Sequence, residues 1–450
     1  MLATNRQKAL GLIGLFILLL TAMWMSVVCG YTDTNWRQAI AALIDNNGSN
    51  VHLVVATVRF PRALIAAAVG ASLAMAGALM QALTRNPLAS PGIFGINAGA
   101  GFFIVVMVTF FSISSLQMLS WVAFMGAAAA AAVLLFLVSI GSGEMRISPL
   151  EAAAALLGYG EEIHQTVILT FRLPRVLVAW LAGMALAAAG AILQGMVRNP
   201  LASPDVIGIT GGAAAAVVAF LALFSDENHS LTVSIHWLPL AAFLGATVAA
   251  WFVYMLAWKN GLAPLRLVLV GIGISALMQA LTTLLMIVGP IYRASQANVW
   301  ITGSVYGASW QHVSLMAPLI IGLFLVAMLA ARHVNVQELG GELAIGLGSA
   351  VERQRLGLVL LSTALTGGAV AFAGGIGFVG LMAPHMARRL VGSAFGALLP
   401  TAALLGGVLV MGADLAGRML LAPTEIPAGV FTAALGAPYF IYLLYRSRKT

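Results

Sequence analysis

The chain has 450 residues, of which 61% are hydrophobic and only 8% are charged. Soluble proteins are about a quarter charged, so this composition excludes a water-soluble globular fold. The formal net charge of +8 is typical of membrane proteins, whose basic residues collect in cytoplasmic loops, and we predict no nucleic-acid partner. Cys29 is the single cysteine, which excludes an intramolecular disulfide framework and a multi-cysteine metal site.

Apolar runs recur along the whole chain. An apolar helix of about 20 residues crosses a bilayer and satisfies its own backbone hydrogen bonds. The predicted spans, in chain order, are 10–29, 62–84, 93–113, 118–141, 174–197, 206–224, 237–258, 264–288, 313–331, 356–372, 376–390, 395–413 and 427–445. Several are rich in alanine and glycine, which lets helices approach closely. The predicted fold class is therefore an all-α polytopic membrane protein in contact with membrane lipid.

One stretch of the sequence is written twice. Residues 59–95 and 172–208 align without a gap at a constant offset of 113 residues and are identical at 20 of 37 positions. In each copy an R-x-P-R motif opens a helix, with proline at an early position where its missing N–H costs little. Two glycines seven residues apart then share a helix face, and N-P-L-A-S-P forms a turn. The duplication predicts a repeated helix–turn–helix unit.

Further motifs follow the second copy in a fixed order. They are L-V-G-I-G-I-S-A-L at 269–277, W-I-T-G-S at 300–304, E-L-A-I-G-L-G at 342–348, G-F-V-G-L-M-A-P-H-M-A-R-R at 377–389, A-D-L-A-G-R at 413–418 and E-I-P-A-G-V-F-T-A-A-L-G-A-P-Y-F at 425–440. Together with R-L-P-R and R-N-P-L-A-S-P, these blocks closely resemble the permease subunits of ATP-driven importers for ferric siderophores, haem and vitamin B12, the FecCD-type permeases of type II ABC importers.

The resemblance implies about ten helices per permease unit. Residues 118–450 look like one complete unit, and residues 1–117, with about three apolar helices, look like the front of another. Such permeases work in the bacterial cytoplasmic (inner) membrane with a second permease unit, a pair of ABC ATPase subunits and a periplasmic or lipid-anchored substrate-binding protein. No lysine in this chain follows a glycine, so the chain has no G-x-x-x-x-G-K-[ST] phosphate loop. We expect no enzymatic activity, catalytic residue, bound metal or cofactor.

The segment 338–356 is polar and lies between two predicted spans. In similar permeases this loop inserts into a cleft on the ATPase and transmits its closure. The positions that the resemblance assigns to coupling are Gly341, Glu342, Ala344, Gly346, Leu347, Gly348 and Arg353. The alanine and glycine spacing predicts short helices with a sharp turn at Gly346 and Gly348.

Two arginines are predicted to lie on the outer side, an orientation that leaves most basic residues of this unit in inner loops. In similar permeases, arginines at the positions of Arg172 and Arg418 pair with acidic residues on the two lobes of the binding protein. Exposed charge pairs are worth about 0–1 kcal/mol and mainly steer docking. The alternative is snorkelling to lipid headgroups. Asp414 lies four residues before Arg418, and we expect an i,i+4 ion pair rather than an ion-coupling site.

The run 265–288 is unusually polar for a membrane span. Its small and polar positions are Gly271, Gly273, Ser275, Gln279 and Thr282. Small and hydroxyl side chains would form a smooth, weakly binding wall that suits bulky, varied chelates. We therefore predict that this helix lines the translocation path.

The run 118–141 combines two patterns. Its start, S-W-V-A-F-M-G-A, matches W-L-P-L-A-A-F at 237–243, and its end, L-V-S-I-G-S-G-E-M-R-I-S-P, resembles the close of a first helix in this family. We expect it to serve as the first helix of the complete unit. Four spans before Arg172 conflict with an inner N-terminus, so the topology of residues 1–117 stays open.

Other functions remain open at this stage. Haem or vitamin B12 could replace a ferric siderophore as the substrate, although the forms R-N-P-L-A-S-P and W-I-T-G-S look closest to siderophore permeases. An ion-coupled secondary transporter also carries internal repeats, but it usually needs intramembrane carboxylates, and Asp414 is the one candidate. A membrane enzyme would need clustered acid, base, nucleophile or metal ligands, and the histidines are scattered.

Overall fold

The computed structural model describes residues 5–30, 34–44, 48–84, 90, 96–111, 115–225, 232–259, 264–289, 291–420 and 424–447. The described chain is almost entirely helical and groups into two compact units, Met1–Ala131 and Ala132–Thr450. This division falls inside a helix, beyond the boundary at 117/118 that the sequence suggests. The domain boundary at 117/118 therefore stays a prediction.

The described residues of unit 1 contain a small apolar cluster formed by Val27, Ala39, Ala42, Val55 and Ala63. They are α1 (Asn5–Val28), α2 (Trp36–Ile44), α3 (Asn50–Leu53), α4 (Phe60–Thr84) and α5 (Ile96–Phe111), followed by α6 (Leu116–Gly141), which continues into unit 2. A π-helical turn, Val54–Arg59, joins α3 to α4.

Unit 2 holds the larger core. Its helices are α7 (Pro149–Leu156), α8 (Glu162–Thr166), α9 (Leu173–Val197), α10 (Ile209–Leu223), α11 (Leu238–Ala257), α12 (Pro264–Val288), α13 (Ile291–Thr302), α14 (Trp310–Glu338), α15 (Gly341–Gly346), α16 (Val351–Ala373), α17 (Val379–Val391), α18 (Phe395–Met419) and α19 (Ala428–Ser447). A π-helical turn, Val167–Arg172, joins α8 to α9. A capping box begins α7: the Ser148 hydroxyl accepts the N–H of Glu151, and the Glu151 carboxylate accepts the N–H of Ser148. The second hydrogen bond lowers the pKa of Glu151.

Each predicted span overlaps a helix in its described residues, but the span predicted at 376–390 is the 13-residue α17, which is not among the apolar helices that could cross a membrane. In the part of the chain that the structure describes, eight helices are long and apolar enough to cross a membrane, and four shorter apolar helices accompany them. Helices satisfy their backbone groups internally, as the hydrocarbon core of a bilayer demands. The predicted all-α polytopic fold is confirmed.

The repeat extends further upstream than the sequence identity. Arg59 donates to the carbonyls of Val27 and Val28 at the end of α1, and Arg172 donates to those of Ile140 and Gly141 at the end of α6. Donors and acceptors in the two units are all 113 residues apart, as are the two π-helical turns. The duplicated unit therefore begins with α1 in one copy and with α6 in the other.

Helix α6 belongs to both copies. Its first half packs on α5 so closely that a Cβ at Gly126 would overlap the carbonyl of Gly99, as a Cβ at Gly245 of α11 would overlap that of Gly212 in α10. Its last turn is capped by Arg172. The two patterns read in residues 118–141 thus correspond to two packing roles, and the role of this run as the first helix of a complete unit stays a prediction.

Helix α9 is the centre of unit 2. It packs against α14, α16, α17 and α18. In the continuous helix that includes α9, 83% of an 18-residue apolar stretch is buried, whereas the buried share is 6% in the helix that includes α4. A Cβ at Gly183 would overlap the carbonyl of Gly406, and one at Gly190 would overlap that of Gly380. Their equivalents Gly70 and Gly77 have open space around them. The repeated helix is therefore buried in the core as α9 in the second copy and exposed as α4 in the first.

Candidate functional site

An arginine cluster lies where α9 begins, formed by Arg172, Arg175, Asp414, Arg418 and Glu425. Arg172 donates to the carbonyls of Ile140, Gly141 and Met145, at 3.1 and 2.8 Å for the first two. The last carbonyls of a helix have no partner within it and carry partial negative charge, so a guanidinium there is stabilising. Arg172 thus fixes the end of α6 against the start of α9.

Arg418 reaches the same helix end from α18. Its two terminal nitrogens donate to the carbonyls of Ser139 and Ser142, each at 3.1 Å, and its Nε lies 3.0 Å from Oδ2 of Asp414. The predicted i,i+4 ion pair between Asp414 and Arg418 is confirmed. Two guanidinium groups therefore cap α6.

Arg175 completes the cluster, and sequence reasoning gave it no role. It donates from Nε and Nη2 to Oδ1 of Asp414 at 3.0 and 2.8 Å, and from Nη1 and Nη2 to the two oxygens of Glu425 at 3.0 and 2.9 Å. The Tyr306 ring lies 5.7 Å from its guanidinium carbon. Such two-pronged contacts are the strong form of the Arg–carboxylate pair. The second arginine of R-x-P-R was the signal that could have found it.

The predicted docking residues are more buried than a docking surface suggests. Arg172 is 9% exposed and Arg418 is 8% exposed, because their guanidinium groups are held by main-chain carbonyls of α6. The expectation of two exposed charges is therefore corrected. Docking by either residue stays a prediction, and the side chain of Glu425, which is 34% exposed, forms the open rim of the cluster.

The predicted coupling segment follows the C-terminal end of α14. It consists of the short helix α15 between Gly340 and a left-handed Gly348, with φ of +112° and +77°. A short helix followed by a sharp turn agrees with the sequence prediction, but only one such helix forms between α14 and α16. Ala344 is fully buried, whereas Leu343, Ile345 and Leu347 are 62%, 65% and 67% exposed. Exposed apolar side chains on a polar loop are suited to a protein partner.

The charged residues of the segment 338–356 differ in exposure and in their partners. Glu342 and Arg353 are exposed. Arg355 lies 3.8 Å from Glu352 one turn earlier, so this pair forms within the chain rather than across an interface. Beside them, Arg388 of α17 binds Glu338 at 2.8 Å and ties α17 to the end of α14. Gly341 is the first residue of α15.

The predicted path residues lie on different faces of α12. Gly271 faces the turn before α10, where a Cβ would come 2.7 Å from Cα of Ile207, and Ser275 lies 3.3 Å from the carbonyl of Asp205. Thr282 is buried and donates to its own helix at Met278. Gly273 and Gln279 are exposed, and Gly273 has open space around it. Because 3.6 residues make a turn, a polar run cannot all face one path.

Asp205 is a structural residue that the sequence reasoning missed. It ends N-P-L-A-S-P-D, and its Oδ2 accepts the N–H of Phe378 at 3.2 Å at the start of α17. Phe378 has a φ of +66°, an uncommon value for a bulky residue, in the sharp break between α16 and α17. Gln194 of α9 donates to the carbonyls of Gly380 and Leu381 nearby, at 3.3 Å each. The turn of the second copy therefore holds α17 against α9. The same turn in the first copy falls outside the described residues, apart from Ser90.

Comparison with known proteins assigns this arrangement to a family. The model of the FecCD transport family matches residues 18–144 and 131–446, two starts that are again 113 residues apart. The chain belongs to the FecCD transport family. It is a multi-pass membrane permease, and the overlap of the two matches falls in the last part of α6.

Two relatives each match more than two thirds of the chain. The chain is 57% identical over 340 residues, 76% of this chain and 99% of the other, to a Bacillus subtilis protein described as "Probable siderophore transport system permease protein YfhA". It is 47% identical over 310 residues, 69% of this chain and 87% of the other, to the achromobactin transport system permease protein CbrC of Dickeya dadantii.

A solved structure shares the fold. It is described as an inward-facing conformation of a metal-chelate type ABC transporter, and it superposes with a TM-score of 0.63 at 29% sequence identity. The match covers 71% of this chain and 97% of that chain. The relationship to ABC importer permeases that the motifs suggest is therefore confirmed.

Proposed function

We propose that this chain is the permease subunit of a binding-protein-dependent ABC importer that carries a ferric siderophore across the cytoplasmic membrane. The observation that carries the proposal is the 57% identity to a siderophore transport permease, of which the chain covers 99%. The name of CbrC, which specifies the siderophore achromobactin, supports the same substrate class. The siderophore occupies the metal's coordination sites, so the permease needs no metal ligands of its own.

Uptake of radioactive iron tests this function. The full chain would be produced with its ATPase and binding protein in cells that lack their own siderophore permeases, and supplied with ⁵⁵Fe bound to siderophores of the hydroxamate, citrate and catecholate classes. We expect uptake of at least one class, and loss of that uptake with an ATPase unable to hydrolyse ATP. Uptake of haem or vitamin B12 alone would overturn the substrate. Uptake driven by an ion gradient without ATP would overturn the importer class.

Energy coupling is proposed for α15 and the residues that follow it. The exposed apolar side chains of Leu343, Ile345 and Leu347 project from a short helix that a cleft on the ATPase could enclose, and Glu342 and Arg353 are exposed charges of the same segment. The buried Ala344 and the left-handed Gly348 keep this segment compact. The Arg388–Glu338 pair ties the start of this region to α17, so movement of α15 would reach the core of unit 2.

Ile345→Asp is expected to uncouple the ATPase. A charge at this exposed apolar position would remain unpaired in a buried interface, so co-purification of the ATPase should fall by about tenfold or more. The permease itself should remain folded, because Ile345 is 65% exposed. Leu157→Asp, at an exposed apolar position after α7, is the control and should retain the ATPase. Equal retention by both variants would contradict the coupling role.

The translocation path is proposed to follow the exposed face of α12, opposite a second permease unit. Gly273→Trp places a large ring on that face, where the glycine now has open space. We expect uptake to fall by about tenfold or more, with ATPase binding unchanged, since the ring occupies space without breaking contacts within the chain. Gly322→Trp, at another open glycine on α14, is the control. Normal uptake by Gly273→Trp would contradict the assignment.

Binding-protein docking is proposed for the side of the arginine cluster that Glu425 leaves open. Arg172 and Arg418 would act there mainly by their positive potential, which steers an acidic partner, because their hydrogen-bonding groups are already engaged. The salt dependence of binding-protein association gives the test. A rate that does not fall between low and high salt would contradict docking by these residues.

The complete transporting unit is proposed to be residues 118–450. It retains most of α6, with the end that Arg172 and Arg418 cap. A chain lacking residues 2–117 is therefore expected to fold, to bind the ATPase and to keep most of its uptake in the ⁵⁵Fe assay. Loss of uptake by a well-folded truncated chain would show that the first copy has a function of its own.

A further inference from the structure

A cavity of about 460 Å³ lies between the starts of α11 and α14 and the end of α16. Its lining residues are His236, Trp237, Pro239, Leu240, Phe243, Gln311, His312, Leu315, Leu319, Gly368, Ala371 and Phe372. The size is within the range of ligand-binding pockets. The cavity does not involve α12, α15 or the arginine cluster, so the proposed transport role does not account for it.

The cavity is polar at one end and apolar along the rest of its length. His236 and Gln311 belong to the polar end, with His312 beside them, and the described lining contains no carboxylate. Nδ1 of His312 accepts the N–H of Ser309 at 3.3 Å, so the neutral ring carries its proton on Nε2 as a donor. The polar end therefore offers hydrogen-bond donors from a ring nitrogen and an amide.

The polar end lies at the level of a membrane surface. Trp237 and Trp310, at the starts of α11 and α14, are 57% and 46% exposed, and tryptophans of this kind collect at membrane–water interfaces. Leu319 stands nine residues after Trp310 on α14, about 13 Å deeper at 1.5 Å per residue. The apolar part of the cavity therefore descends into the hydrocarbon region.

Charge at the polar end favours an anion. α11 and α14 both begin here, and helix N-termini carry partial positive charge. The His312 ring and the Gln311 amide add no net charge but supply hydrogen-bond donors for an anion, and the apolar side chains Leu240, Phe243, Leu315, Leu319 and Phe372 line the rest of the cavity. An anionic head above an apolar tail is the chemistry of an acidic phospholipid, which is present at this depth in a bilayer.

We propose that this cavity binds one acyl chain of an anionic phospholipid, with the phosphate at His236, Gln311 and His312. The bound lipid would connect α11, α14 and α16 near the end of the bundle where α9 begins, since the Trp310 side chain there donates to the carbonyl of Leu169 at 2.7 Å. Lipid composition would then influence the stability of this end of unit 2.

Photolabelling of the full chain in lipid nanodiscs tests the site. The probe is phosphatidylglycerol with a diazirine on one acyl chain, and labelled peptides are identified by mass spectrometry. We expect the segments 236–243, 311–319 and 368–372 to be labelled more heavily than 322–330, which lies farther along α14 and outside the cavity. Even labelling of all these segments would overturn the proposal, because it is the pattern of non-specific surrounding lipid.

Two leucines on α14 supply a matched pair of variants. Leu315 lines the cavity and is 57% exposed, while Leu325 lies outside it and is 58% exposed. Leu315→Trp fills the cavity and is expected to reduce labelling of 236–243 and 368–372 by about tenfold, whereas Leu325→Trp should leave it unchanged. Equal labelling in the two variants would overturn the cavity as the binding place.

The headgroup is tested separately. The double variant with His236→Ala and Gln311→Ala keeps the apolar walls and removes donors from the phosphate. Labelling by the phosphatidylglycerol probe is expected to fall by about tenfold, the value of one or two hydrogen bonds to a charged group. A phosphatidylcholine probe of the same chain should label the wild type less, and excess inorganic phosphate should not compete. Equal labelling by both probes, or no effect of the double variant, would overturn recognition of an anionic lipid.

Discussion

Gly190→Leu is expected to prevent unit 2 from assembling. A Cβ at Gly190 would overlap the carbonyl of Gly380, so even alanine requires α9 and α17 to move apart, and leucine requires more. The backbone cannot yield as a flexible side chain can, and α9 contacts most of the core helices. We expect the yield of monodisperse protein, measured by fluorescence-detected size-exclusion chromatography, to fall by about tenfold or more.

The first copy supplies the matched control. Gly77 occupies the same repeat position on α4 and has no atom within 4 Å of a built Cβ. Gly77→Leu should therefore give a normal yield, with a gain in stability of less than about 1 kcal/mol because leucine has a higher helix propensity than glycine. A normal yield for Gly190→Leu would show that the α9–α17 crossing is looser than the structure has it. A collapse for Gly77→Leu would show that α4 has a close partner in the membrane.

Arg175→Gln is expected to cause the second large loss of stability. The change removes four donor contacts to Asp414 and Glu425 and leaves Asp414, whose side chain is 4% exposed, with a single cationic partner. Breaking a buried ion pair by removing one partner costs about 3–5 kcal/mol. The variant should unfold at a clearly lower temperature when heated in detergent and assayed by size-exclusion chromatography.

Arg62→Gln is the corresponding change in the first copy. Arg62 occupies the same motif position in R-F-P-R but is exposed on α4, and its removal should leave the unfolding temperature unchanged. If both variants unfolded at the wild-type temperature, the ion-pair network would be contributing little and the cluster would be held by Arg172 and Arg418 alone.

Some functional residues could be placed from the sequence, and the reasons are local. The Asp414–Arg418 pair depends only on helix periodicity, and the turn at Gly348 depends only on glycine spacing, so both were predictable. Arg175 could not be assigned, because its partners are 239 and 250 residues away along the chain. The same limit applies to Asp205, whose partner Phe378 is 173 residues away.

The path residues illustrate a different limit. Composition marked the run 265–288 as polar, but polarity within a helix does not say which side each residue faces. Gly271 and Ser275 turned out to serve packing against the segment before α10, while Gly273 is open. Arg172 and Arg418 were expected to be exposed because arginines at these positions in similar permeases pair with the binding protein. The unpaired carbonyls at the end of α6 supply the partners that allow it.

The sequence by itself determined the fold class, the family resemblance, the duplication and the approximate positions of the apolar spans, because apolar length and local motifs are properties of short segments. Only the tertiary structure decided what each copy of the repeat does. Gly183 and Gly190 lie at close helix crossings because α18 and α17 pack against α9 there. The equivalent glycines of α4, Gly70 and Gly77, have no such neighbours. The glycine spacing of a helix shows that another helix can pack closely against it, but whether the helix is buried depends on which other helices lie next to it.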